Sequence, residues 1–280
     1  MQSPDRFGLI VGSMKCGTTS LFNHLADHPE VAPCRTKEPN YFSGDAFNAD
    51  DPNAYFALWD WDPSRHKIAI EASNAYAKMP AYPNCADRIA QFSQLDFRFV
   101  FSMRNPIDRI ESHINHGVFE GWAQTLGAAG ITEHTIAVSR YAMQLDAYAK
   151  RFGRDKIQLV VLEDFKTAPA KTFRDVCGFL GIDPEVPLAD PKKHNRAADH
   201  FVEHPIWGWV RSIEPLQRMS RAIPPGLRTA IRRATGRRSE APKRLTPGER
   251  AQIAEALRGD LARLKAEYEI DPAKTWGIEI

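Results

Sequence analysis

The 280-residue sequence predicts an α/β protein: a central parallel β-sheet flanked by helices on both faces, with a helical C-terminal elaboration. Three observations carry this. Short, predominantly apolar runs of strand length recur along the first two thirds of the chain. Segments with helical periodicity separate them. Neither the strands nor the helices cluster in one half, as they would in an α+β arrangement. The composition, 43% hydrophobic and 26% charged, is that of a folded chain and excludes disorder, collagen and coiled coil for the whole.

The elements read in order as follows. Phe7–Val11 is the first strand, ending at Gly12. Leu21, Phe22 and Leu25 fall at helical spacing, so a helix runs from Thr18 to about Asp27. Further strands are predicted at Lys67–Glu71, at Phe97–Met103, which is dense in β-formers, and at Ile157–Leu162. Helical patterns cover about Pro83–Gln94, Pro106–Val118, Glu133–Arg151 and Pro169–Leu180. From Pro184 to Pro247 the pattern loosens and prolines recur, with Trp207 and Trp209 near short helical stretches. A last helix spans about Pro247–Tyr268, with Ile253, Leu257, Leu261 and Leu264 on one face. The best parse is one domain over 1–280, with a core at about 7–181 and the elaboration at about 184–280.

Between the first strand and the first helix lies Gly12-Ser-Met-Lys15-Cys16-Gly17-Thr18-Thr19-Ser20. Backbone N–H groups at a helix N-terminus attract anions, and glycines let the chain curl around a phosphate. The predicted sheet is therefore P-loop-like. Gly12 and Gly17 match the spacing of the G-x-x-x-x-G-K-[ST] loop of nucleotide hydrolases, but Thr18 stands where that loop has its lysine. Lys15 lies inside the loop instead. The strand at 97–103 leads into Arg104-Asn105-Pro106 and supplies no metal-holding acid, so no metal is expected.

These segments resemble the sulfotransferases that use 3′-phosphoadenosine 5′-phosphosulfate (PAPS), in the branch of heparan-sulfate enzymes and bacterial relatives. Lys15-Cys-Gly-Thr-Thr-Ser20 looks like their 5′-phosphosulfate loop. Arg104-Asn-Pro-Ile-Asp-Arg109-Ile-Glu-Ser112 looks like their 3′-phosphate motif R-x-P-x-x-R-x-x-S. Lys37-Glu38-Pro39-Asn40-Tyr41-Phe42 is similar to their K-E-P-H-F-F. Weaker likeness continues through Glu71-Ala-Ser73, Glu163-Asp-Phe165 and Phe179-Leu-Gly181. The family's histidine is Asn40 here, and the lysine of its E-K-T-P segment is Ala72, which argues against a strict heparan-sulfate acceptor.

The resemblance implies roles. PAPS is the donor and adenosine 3′,5′-bisphosphate (PAP) the product, with a hydroxyl or amine acceptor, carbohydrate or small molecule. Lys15 stabilises the bridging oxygen. Cys16, Gly17, Thr18, Thr19 and Ser20 hold the 5′-phosphate, and Arg104 and Ser112 hold the 3′-phosphate, with Arg109 as a further contact or a plain helix cation. Glu38 is the general base, with His116 and His113 as rivals. Lys193 and Arg196, in a late basic cluster, are expected to close over the nucleotide. Two other classes stay open: a P-loop kinase or NTPase, and a non-catalytic nucleotide- or polyanion-binding protein.

The net charge is only +2, yet between Arg211 and Arg244 ten basic residues face two acids. No nucleic-acid motif accompanies this patch, so an anionic acceptor, a membrane surface or a solvated face is expected in preference to nucleic acid. Cys16, Cys34, Cys85 and Cys177 form no CxxC pair, no signal-like segment opens the chain, and no window spans a membrane. A cytoplasmic location is the simplest expectation, with oligomeric state left open.

Overall fold

The computed structural model of the chain describes residues 3–120, 131–188 and 244–280, with 118–120, 201–202 and 237–238 described by backbone alone. Five parallel strands form the sheet: β1 (Arg6–Gly12), β2 (Val31–Pro33), β3 (Ile68–Glu71), β4 (Asp96–Met103) and β5 (Ile157–Val161), in the order β2-β3-β1-β4-β5. β1 is central, paired to β3 on one side and β4 on the other.

Alternation along the strands explains the two helical layers. Phe7, Leu9, Phe97, Phe99 and Phe101 point to one face. There they meet an aromatic cluster of Tyr41, Phe42, Tyr55 and Trp59, and two helices, α6 (Tyr141–Phe152) and α9 (Pro247–Tyr268). Ile10, Ile70, Val100 and Val160 point the other way. They are covered by α1 (Thr18–Ala26) and α8 (Pro169–Leu180) through Leu21, Leu25, Val176 and Leu180. The stripe Ile253, Leu257, Leu261 and Leu264 is buried as expected.

The remaining elements are α2 (Asn53–Phe56), a 3₁₀ turn at Asn74–Ala77, α3 (Cys85–Ala90), α4 (Pro106–Glu120), α5 (Glu133–Ala137), α7 (Leu162–Thr167) and α10 (Pro272–Trp276). Several depart from expectation. β2 is a three-residue strand that the apolar pattern did not show. The single helix expected over 133–151 is two, α5 and α6, broken where Ser139 turns its hydroxyl to the Pro106 carbonyl at 3.3 Å. Residues 201–202 and 237–238 pair as a short antiparallel ladder inside the region expected to be helical. Trp207, Trp209, Lys193, Arg196 and 211–243, apart from the backbone at 237–238, lie outside the described residues. All four cysteines are buried and unpaired with one another. No helix of the described residues is long and apolar enough to cross a membrane.

Candidate functional site

The loop from β1 to α1 lies at the carboxyl edge of the sheet, where open α/β sheets bind ligands. Two residues in it take the left-handed conformation, Lys15 (φ 72°) and Gly17 (φ 81°). Position 17 favours glycine, because its positive φ strains any other residue and a Cβ there would also push Leu162 Cδ1, 2.6 Å away, aside. Lys15 adopts a conformation that costs a side-chain-bearing residue energy, a feature concentrated at functional sites. The loop is tied to β4: the Ser13 N–H donates to the Ser102 carbonyl, and the Ser102 hydroxyl donates to the Cys16 carbonyl. No side chain caps α1, so its first-turn N–H groups face outward at the positive end of the helix dipole.

A cavity of about 430 Å³ opens over this loop, lined by Met14, Lys15, Gly17, Thr18 and Thr19 on one wall. Glu38, Asn74, Lys78 and His116 line the other. Ser20 is exposed on α1 and is not among the lining residues. The Cys16 side chain is buried with its sulfur 3.8 Å from the Tyr141 hydroxyl, and burial pushes the thiol up to about 11. Its thiol turns inward, also lying 3.8 Å from the Met14 carbonyl, and does not line the cavity.

Glu38 is held by two donors on Oε1: the Lys37 ammonium and Asn74 Nδ2 at 2.9 Å. Its loop is fastened by the neighbouring strand end. The Ser73 hydroxyl accepts from the Asn40 N–H at 3.0 Å, the Tyr76 hydroxyl from the Phe42 N–H at 3.2 Å, and the Lys37 carbonyl from the Ala72 N–H at 2.9 Å. Beneath lies Glu71, fully buried, accepting from the hydroxyls of Tyr55 (3.1 Å), Tyr76 (3.0 Å) and Ser73. Burial pushes its carboxyl up to about 7, against the pull of these three donors, with nearby Glu38 adding to the rise. A raised carboxyl stabilises the fold below its ordinary value of 4.5, and that contribution is lost as pH rises through about 7. Between about pH 4 and pH 8 the Glu71→Gln protein should therefore lose roughly 3 kcal/mol less stability than the wild type. Urea unfolding at both pH values reads this directly. Parallel losses in the two proteins would mean that Glu71 does not titrate in that interval.

Helix α4 carries two stripes with different surroundings. Arg109, His113 and His116 lie at i, i+4 and i+7. Arg109 is fully buried and donates to the Ser139 hydroxyl, to the Thr135 carbonyl at 2.6 Å and to His113 Nδ1 at 3.1 Å. It is a core arginine, neither an exposed cation nor a second phosphate contact. Burial and the Arg109 charge push His113 down to about 3, so it is neutral and packed against Arg109. His116, one turn on, reaches the cavity.

The other stripe, Asp108, Glu111, Ser112 and Asn115, joins Arg104, Arg244, Leu245 and Arg250 around a second cavity of about 460 Å³. Arg104 and Ser112 thus face one space. The Arg104 Nε is buried with no hydrogen-bond partner among the described residues, and its Nη1 reaches only the Lys15 carbonyl at 3.5 Å. Asn105 caps α4, its Oδ1 accepting from the Ile107 and Asp108 N–H groups at 3.0 and 3.2 Å, with Pro106 beginning the helix. Arg244 and Arg250 are paired to Glu111 and Asp108, each at 2.9 Å.

Sequence reading missed Asn74 and Lys78. Both follow the end of β3 within two turns, and position just past a parallel strand was the signal available. Lys78 is half-buried, and burial lowers its pKa. Among the described residues no cluster of His, Cys, Asp and Glu could hold a metal ion.

A family model described as the sulfotransferase family matches residues 38–185. The bifunctional heparan sulfate N-deacetylase/N-sulfotransferase 1 of Caenorhabditis briggsae is 23% identical over an alignment of 198 residues that covers 64% of this chain. The chain spans only 23% of that relative's length. Among solved structures, a sulfotransferase from Alicyclobacillus acidocaldarius shares the fold, with a TM-score of 0.65 and 23% identity over 97% of this chain and 98% of that one. The sulfotransferase domain of the Synechococcus PCC 7002 olefin synthase matches at a TM-score of 0.46 and 14% identity, over 92% of this chain and 96% of that one. With a family match over more than half its length, this chain belongs to the sulfotransferase family.

Proposed function

We propose that the protein transfers a sulfuryl group from PAPS to a hydroxyl or amine acceptor by in-line displacement, with Glu38 as general base. The observation that supports this most is the make-up of the 430 Å³ cavity: a phosphate loop with its lysine on one wall, a fixed carboxylate on the other. In this reading Thr18, Thr19 and the first-turn N–H groups of α1 bind the 5′-phosphate. Lys15 meets the bridging oxygen, where charge develops as the sulfuryl group leaves. Glu38 takes the acceptor's proton as the new S–O or S–N bond forms. His116 and Lys78 complete the acceptor wall. Arg104 and Ser112, in the neighbouring cavity, hold the 3′-phosphate.

The nucleotide assignment has a direct test. The wild type should bind adenosine 3′,5′-bisphosphate more tightly than AMP in calorimetry. Arg104→Ala should erase much of that preference, by about ten- to a hundred-fold, the worth of a hydrogen bond to a charged group. An unchanged ratio of the two affinities would place the 3′-phosphate elsewhere.

A further inference from the structure

We propose that Trp276, on the last helix of the chain, is a positioning residue for Arg104, acting through Glu163 and Tyr141, so that recognition of a nucleotide 3′-phosphate depends on the docked C-terminal helix. The inference rests on the reading that Arg104 binds that phosphate.

Among the described residues little holds the Arg104 side chain: Nε is unpartnered and Nη1 makes one long contact. Its aim is therefore set by its backbone. Three residues fix the turn that carries it: Tyr141, Glu163 and Asn105. The Tyr141 hydroxyl donates to the Arg104 carbonyl at 2.9 Å, and the same oxygen lies 3.5 Å from the Arg104 N–H. Glu163 Oε1 accepts from the Asn105 N–H at 3.0 Å. Asn105 caps α4, so any rotation of this turn also carries Ser112.

Trp276 touches all three. Its indole Nε1–H donates to Glu163 Oε2 at 3.3 Å. Its carbonyl accepts from Asn105 Nδ2 at 3.4 Å. Its ring packs on Tyr141 with centroids 6.0 Å apart. Helix α10 is itself fixed: Asp271 caps it by accepting from the Ala273 N–H at 3.1 Å, and Ile278 beyond it is buried. Charge-assisted arginine–phosphate bonds depend on geometry, and a displaced guanidinium loses them.

The test uses Trp276→Phe, which keeps a ring against Tyr141 and removes the indole donor, with Trp276→Ala and Glu163→Gln beside it. Calorimetry measures the dissociation constants of adenosine 3′,5′-bisphosphate and of AMP for each full-length protein. The preference for the bisphosphate, the Kd of AMP divided by that of the bisphosphate, should fall about fivefold in Trp276→Phe, the worth of one ordinary hydrogen bond. In an Arg104→Ala background the same substitution should leave the ratio unchanged, because the two residues act as a unit. A merely structural role would weaken both nucleotides alike and keep the ratio, and that result overturns the inference. So does a wild-type ratio in Trp276→Phe and Glu163→Gln when Arg104→Ala alone lowers it, which leaves the assignment of Arg104 standing. A wild type with no preference for the bisphosphate would overturn that assignment, and the inference with it. Should Trp276→Ala fail to fold, the other two variants decide.

Discussion

Glu38→Gln is expected to lower turnover by about 10²–10⁴, the usual worth of a general base, with donor affinity unchanged. Gln keeps the shape of the side chain and can still accept from Asn74 Nδ2, so the loop from Lys37 to Phe42 should stay in place. What it loses is the ability to take a proton from the acceptor. His116 is the other proton acceptor lining the cavity, and His116→Ala is expected to cost less. Steady-state assays at saturating donor separate the two. If His116→Ala produces the large loss and Glu38→Gln does not, the base is His116. His113 no longer competes, because burial against Arg109 removes it from the acceptor.

Lys15→Ala should cost about 10²–10³ in turnover at saturating donor, the effect of removing one preorganised charge from a developing anion. Its loss should show in the chemical step more than in donor binding, because the charge on the bridging oxygen grows only as the S–O bond breaks. Lys78 faces the same cavity and limits the damage without replacing a lysine inside the phosphate loop. Equal turnover by mutant and wild type would remove Lys15 from the chemistry.

Local pattern made much of this legible. Apolar strands alternating with amphipathic helices foretold a parallel sheet covered on both faces, because each strand buries both of its sides. The glycine-bounded loop before α1 and the Arg104-Asn105-Pro106 turn were visible because their chemistry is contiguous in sequence. β2 escaped because three residues ending in Pro33 carry no periodicity. Helix α7 follows β5 without a break, so Leu162 read as strand. Arg109 and His113 differ from His116 only by the rotation of α4, which a motif does not encode. The walls of the cavities were least legible. Lys78 and Glu38 line one cavity from segments that follow neighbouring strands, and Tyr141, Glu163 and Trp276 meet at Arg104 from positions 37 to 172 residues away, an arrangement that tertiary packing alone creates.

Sulfuryl transfer from PAPS is read out by supplying sulfur-labelled PAPS with a panel of hydroxyl and amine acceptors, including anionic sugars, without added metal. Label is expected on at least one acceptor, with adenosine 3′,5′-bisphosphate released in equal amount and transfer lost in Glu38→Gln. Tight binding of PAPS with no label on any acceptor, or magnesium-dependent transfer of phosphate from ATP in its place, would contradict sulfuryl transfer from PAPS.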